Sequence, residues 1–293
     1  MTATAPKPTE VFRKDYTRTD FQIDSVELDF NLSEEETFVH AKLAMCRENS
    51  EASELRLIGE DLETLEVRID GRELSSEEWR VEDEELVIPG VPEHFCLETQ
   101  VRIEPHKNTQ LSGLYKSSGN YCTQCEAEGF RRITWFLDRP DVMNKYRVRL
   151  EAEKAKYPVL LSNGNRVEAG ELNEGRHYAV WVDPFMKPSY LFALVAGDLG
   201  FVQGSFTTMA GREVDLFVYS EHGNEDKLTY ALDCLKSSMK WDEEKFGREY
   251  DLDIYNIVAV GDFNMGAMEN KSLNIFNTAC VLARPDTATV FDY

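Results

Sequence analysis

The sequence predicts a mainly β fold, with an antiparallel β-sandwich or saddle domain over residues 1–198 and the β-rich start of a mixed α/β domain over residues 199–293. Three observations carry this. Short stretches of alternating apolar and polar residues recur through the first two thirds of the chain, each closed by a turn signal. Helical periodicity is nearly absent before Leu199. Beyond it a strand, a helix and a buried strand follow in that order, the pattern that opens an α/β layer arrangement. At 293 residues the chain also exceeds the usual size of one hydrophobic core, so two domains are the natural expectation.

Taken in order, residues up to about Asp20 are polar and Pro-containing and read as a tail or an edge segment. Val26, Leu28, Phe30 and Leu32 then alternate with Ser25, Glu27, Asp29 and Asn31, the period of a strand with one buried face. After Ser33-Glu34-Glu35-Glu36 the alternation resumes at Val39, Ala41, Leu43 and Met45, which predicts an antiparallel hairpin. Leu65, Val67 and Ile69 lead into the turn signal Asp70-Gly71. Leu86-Val87-Ile88 stops at Pro89-Gly90, and Val101 with Ile103 adds a short strand. A second set comprises Tyr146, Val148 and Leu150, then Val159-Leu160-Leu161 running into Ser162-Asn163-Gly164, then Tyr178, Val180 and Val182. Many short strands at close spacing argue for a sandwich or saddle. The texture changes near residues 197–201. One more strand is expected over 214–219, and residues 224–246 place Leu228, Ala231, Leu232, Leu235 and Met239 at helical spacing before Gly247. Residues 254–260 form a compact apolar run suited to a buried strand.

Composition excludes several functions. A formal charge of −22 and a pI near 4.7 argue against nucleic acid, because phosphate binding needs clustered Lys and Arg to release counterions. An anionic membrane surface is disfavoured for the same reason. The first residues, MTATAPKPTEVFRKDY, have no apolar run behind their basic residues, and no stretch approaches a membrane span, so a cytoplasmic location is expected. The six cysteines are scattered and read as reduced thiols rather than a disulfide framework.

Two segments could carry chemistry. Val260-Gly261-Asp262-Phe263-Asn264-Met265-Gly266-Ala267-Met268-Glu269-Asn270 follows a buried strand with small residues and then a carboxylate. Backbone at Gly266 and Ala267 can align a peptide main chain, while Glu269 can pair with a cationic amine. On local physics alone, a strand-ending turn with a solvated Glu is the favoured reading. In Cys122-Thr123-Gln124-Cys125-Glu126-Ala127-Glu128-Gly129-Phe130-Arg131, the Cys122-x-x-Cys125 spacing could mark a redox pair or half a zinc site. No second pair completes a tetrahedral site, and the redox reading needs a βαβ context that this region lacks.

Gly266-Ala267-Met268-Glu269-Asn270 resembles the G-A-M-E-N exopeptidase motif of the aminopeptidase N family. Its flanks, Asn264-Met265 and Lys271-Ser272-Leu273-Asn274-Ile275-Phe276, resemble the bacterial branch, in which Gly is expected at position 272. The string around Glu126 resembles the loop by which the family's N-terminal domain reaches into the active site. Further matching stretches are Arg139-Pro140-Asp141, Leu161-Ser162-Asn163-Gly164-Asn165, residues 190–198, and Met239-Lys240-Trp241-Asp242-Glu243; these read as scaffold. The resemblance implies that Glu126 and Glu269 hold the substrate α-amine and that Gln124 and Met265 line the first side-chain pocket. It places Gly266, Ala267, Met268 and Asn270 at the same substrate site. It also implies that residues 199–293 begin a thermolysin-like catalytic domain, and that the full-length enzyme is a zinc metalloaminopeptidase releasing N-terminal amino acids from peptides.

The family's zinc motif, H-E-x-x-H, puts two histidines four residues apart on one helix face with a glutamate as base. Here His40, His94, His106, His177 and His222 include no such pair. No metal ligand, general base or proton donor is therefore assigned within the chain, and the resemblance places them after the position matching Asp292-Tyr293. The expected partners are peptides with a free N-terminus and the remaining C-terminal part of the same enzyme, and the chain alone is expected to be inactive. Two other readings stand beside this one: a non-catalytic peptide-binding or structural fragment, and a relative of the leukotriene hydrolases acting on an epoxide lipid.

Overall fold

The structure is a computed structural model that describes residues 12–291. The part of the tail reading that covers residues 1–11, and the chain end Asp292-Tyr293, lie outside the described residues.

The largest element before Leu199 is an eight-stranded sheet in the order Asn165–Glu171, Arg176–Lys187, Asn144–Glu153, Phe21–Leu32, Thr37–Arg47, His94–Ile103, Glu63–Ile69, Arg72–Glu73. Its register explains the alternation in the sequence. Val26, Leu28 and Phe30 stand opposite Leu43, Ala41 and Val39 in the expected hairpin, and opposite Tyr146, Val148 and Leu150 on the other side. All nine side chains are buried, so one face of three adjacent strands is continuously apolar. The pairing of Phe21–Leu32 with Asn144–Glu153 is parallel; every other pair in this sheet is antiparallel.

Two smaller sheets complete this part. One has three strands, Glu54–Ile58, Glu85–Pro89 and Arg80–Glu82. The other has four, in the order Val159–Ser162, Leu194–Gly197, Asn120–Gln124, Gly113–Ser117. Leu65 departs from the expected alternation: a bulge between Thr64 and Glu66 shifts the register and leaves Leu65 exposed while Val67 stays in the core.

A five-stranded sheet begins at Leu199, ordered Leu199–Thr207, Glu213–Glu221, Ile254–Val260, Leu273–Asn277, Ala267–Met268. Its two faces have different partners. Val214, Leu216, Val218, Ile257 and Ala259 pack with Leu228, Leu232, Leu235 and Met239 of the helix side. Tyr219, Val258, Val260, Leu273 and Ile275 join the core of the preceding sheets. Period-two alternation along single strands therefore splits one sheet between two apolar layers. The helix runs Thr229–Phe246, preceded by a short 3-10 turn at Glu225–Lys227. Gly247 closes it in the left-handed conformation, φ 61°, with its N–H on the Glu243 carbonyl at 2.9 Å.

Candidate functional site

The Glu126 turn is built from its anchors outward. Asn120–Gln124 is an inner strand of the four-stranded sheet, and Gln124 and Cys125 are buried. The chain then turns back on itself, with the Gly129 N–H on the Cys125 carbonyl at 2.9 Å. A Cβ at Gly129 would stand 2.3 Å from the Gln124 carbonyl oxygen and 2.8 Å from the Gly113 nitrogen, so only glycine permits this approach. Phe130 plugs the turn into the core, its ring 4.7 Å from that of Phe136 and 5.2 Å from that of Phe192. Arg131 pairs with buried Asp138 at 2.9 Å. Glu126, Ala127 and Glu128 are left exposed, and the Glu126-Ala127 peptide is cis. The two glutamates differ. Glu128 is paired with Arg131 at 3.3 Å, whereas the Glu126 carboxylate has no hydrogen-bond or ion-pair partner among the described residues.

The second segment leaves the buried strand Ile254–Val260 at Gly261 and returns as Ala267–Met268, the outer edge of the five-stranded sheet. Ala267 and Met268 pair with Phe276 and Ile275, and the Gly266 carbonyl accepts from the Asn277 N–H at 2.9 Å. Gly266 and Ala267 are exposed and no strand covers the other side of the edge, which is the geometry by which extended peptides add to a sheet. Met268 is fully buried, so only its backbone can face a peptide. Glu269 is exposed and, like Glu126, has no hydrogen-bond or ion-pair partner among the described residues. Asn270 is buried, with its side-chain oxygen unpaired.

The fold brings the two segments together. The buried Gln124 amide meets the Met265 thioether sulfur, 141 residues away in sequence. Asn264 donates from its amide to the Leu111 carbonyl at 3.1 Å. At Asp262, the backbone carbonyl accepts from the Tyr115 hydroxyl at 2.8 Å and the carboxylate accepts from the Ser117 hydroxyl at 2.9 Å. The Asp262 N–H returns a bond to the same hydroxyl oxygen at 3.1 Å. At the far end, Asn163 donates to the Lys271 carbonyl at 2.9 Å, and the Gly164 N–H donates to Ser272 Oγ at 2.6 Å. Ser272 occupies the left-handed region, φ 63°, the conformation for which glycine is best suited. Its hydroxyl makes that position a tie to the first part of the chain. Sequence reasoning missed Tyr115, Ser117 and Asp262; the Ser118-Gly119 pair, both at positive φ between two short strands, was the available signal.

Cys122 and Cys125 are buried and free, and desolvation pushes the Cys122 thiol up to about 12 and the Cys125 thiol well above its ordinary value. Neither is an available thiolate. The histidines serve local structure: His177 Nε2 lies 2.7 Å from the Tyr157 carbonyl, and His222 bridges Asp198 and Glu225 at 3.0 and 3.1 Å. Among the described residues no group of three or more His, Cys, Asp or Glu could hold a metal ion.

The exposed edge strand Ala267–Met268 and the exposed carboxylates of Glu126 and Glu269 thus lie on two segments that meet at the Gln124–Met265 contact. Comparison with known proteins bears on this. Residues 23–191 match the peptidase M1 N-terminal domain and residues 230–293 match the peptidase family M1 domain. The chain belongs to the peptidase M1 family. It is 53% identical over 287 residues to aminopeptidase N of Escherichia coli, and 54% identical over 286 residues to aminopeptidase N of Caulobacter vibrioides. Each match covers 98% of this chain and 33% of the relative. A crystal structure of Legionella pneumophila aminopeptidase A in complex with aspartic acid superposes with a TM-score of 0.91 at 33% identity, over 95% of this chain and 33% of that one. The chain thus spans about a third of the length of the relatives it matches.

Proposed function

We propose that these residues are the substrate-recognition part of a zinc aminopeptidase that hydrolyses the first peptide bond of peptides with a free N-terminus. Residues 1–198 act as an N-terminal β domain and 199–293 as the incomplete start of a thermolysin-like catalytic domain. Glu126 and Glu269 hold the substrate ammonium, Gln124 and Met265 line the first side-chain pocket, and Gly266, Ala267, Met268 and Asn270 shape the edge on which the main chain lies. The observation that carries this reading is the contact of Gln124 with Met265, which brings the Glu126 turn beside the segment that bears Glu269. Both carboxylates are exposed without internal partners, so both have acceptor capacity for a cation. A free amine fixed in this way lets only the first peptide bond reach the reacting centre.

The residues present do not make a zinc site: the sequence holds no H-E-x-x-H, and the described residues hold no cluster of ligands. A zinc ion would have to be held by residues other than these, and would supply Lewis-acid chemistry there. The part played by this chain is to orient the substrate. A cytoplasmic location belongs to the same reading, supported by six free cysteines and by the absence, among the described residues, of a helix long and apolar enough to cross a membrane.

The test is Glu269→Gln in the complete enzyme. Breaking a desolvated charge pair costs about 2–5 kcal/mol, a loss of roughly 30-fold to several thousand-fold. Turnover of an amino-acid anilide with a free amine should fall by that range, and unchanged kinetics would remove Glu269 from the site. The 293 residues alone, with zinc added, should show no hydrolysis above a metal-free control; activity there would contradict the division of labour.

A further inference from the structure

Within its own sheet the recognition segment is held at its middle, by the buried Phe263 and Met268 side chains and by Asn277, which donates from its N–H to the Gly266 carbonyl and from its amide to the Phe263 carbonyl; its two ends are held from outside that sheet. Ala267–Met268 is a two-residue edge strand, and the connection from Gly261 to Met265 contains no regular secondary structure. The fixed points of the two ends lie on the four-stranded sheet of the first part. Tyr115 and Ser117 belong to Gly113–Ser117, the strand at one edge of that sheet, and Asn163 and Gly164 directly follow Val159–Ser162, the strand at the opposite edge. Gln124 ends an inner strand between them. Residues 262–272 therefore span the sheet that carries the Glu126 turn and are tied down at both ends.

We infer that the Asp262 clasp with Ser117 and Tyr115 is a positioning device for substrate binding, setting the place of Met265 and Glu269 relative to Gln124 and Glu126. Nothing in the peptide chemistry needs Asp262 itself; its carboxylate, N–H and carbonyl are all committed to the two neighbouring side chains. Ser117 is buried, so its hydroxyl exchanges bonds with Asp262 in two directions from the protein side, while Asp262 itself is exposed. Tyr115 is fully buried, and desolvation raises its hydroxyl well above the ordinary phenol range, so it remains a hydrogen-bond donor. A displacement of about 1 Å in a positioning element can cost on the order of 100-fold in rate, which is why such a clasp matters away from the reacting bond.

This inference rests on the amine-site reading, and the experiment separates the two. In the complete zinc-loaded enzyme, Asp262→Ala should raise KM for an alanine anilide about tenfold with kcat changed less than about threefold, as expected when binding common to ground and transition states is lost. Asp262→Asn, which keeps an acceptor for Ser117, should recover most of that loss. Ser117→Ala removes that bond together with the acceptor of the Asp262 N–H and should move KM in the same direction and at least as far, which keeps the test decisive if Asp262→Ala folds poorly. Combined with Glu269→Gln, Asp262→Ala should add little, because the clasp works through the amine site. Unchanged KM in both single variants, with Glu269→Gln still strongly impaired, overturns the clasp alone. Fully multiplicative losses in the double variant also overturn it. Unchanged kinetics in Glu269→Gln remove the amine site and the clasp together.

Discussion

The Glu126 turn and the 261–272 segment are held by different balances of packing and hydrogen bonding. The Glu126 turn is seated by apolar packing: Phe130 is buried among Phe136, Phe192 and Tyr146, and the chain on either side is core. The 261–272 segment buries Phe263 and Met268, but its two ends are seated by hydrogen bonds borrowed across the molecule, from Tyr115, Ser117, Asn163 and Gly164. Packing is strong and forgiving of direction, so it fixes that the turn is there. Hydrogen bonds are individually weaker and directional, so they fix where a backbone edge lies to within a fraction of an ångström. On the proposed reading, in which the two segments hold one ammonium between them, packing builds the wall and hydrogen bonds set the gap.

That contrast can be broken or sharpened by substitution. The largest effect on stability is expected at Phe130→Ala, which removes a fully buried ring and should cost about 3–5 kcal/mol, read as a lowered urea midpoint. A loss below about 1 kcal/mol would show that packing does not hold the turn. The Asp262 and Ser117 variants occupy the middle, with their effect in KM rather than in melting. The smallest effect is expected at Ser272→Gly. It deletes the bond to Gly164 but relieves a non-glycine residue of positive φ, and the opposing terms should leave a net change of about 1 kcal/mol or less. A large loss there would mean that the tie at the far end is as important as the one at Asp262.

The helix side of the five-stranded sheet shows what was easy to read in advance. Leu228, Leu232, Leu235 and Met239 announce their shared face by spacing alone, and all four are buried against the strands. The exposed G-A-M-E-N edge was found by a different route, since its local physics favours an ordinary turn, and only resemblance lifted it out. The strands Gly113–Ser117 and Asn120–Gln124 were passed over because they are short, polar in places and joined through Ser118-Gly119, with too few residues for alternation to register. The first of them carries both partners of Asp262, and the second ends at Gln124.

By itself the sequence determined the strand faces, the hairpin and the helix, because each is written in neighbours a few residues apart and hydrophobic burial enforces that period; the G-A-M-E-N string was legible only as a resemblance. Tertiary structure alone decided which glutamate of the turn is free, that Met268 points inward, and that Ser117 and Asp262, 145 residues apart, share two hydrogen bonds. Those outcomes depend on how separate sheets meet. No local pattern encodes the relative placement of groups that become neighbours only after each sheet has buried its own apolar face.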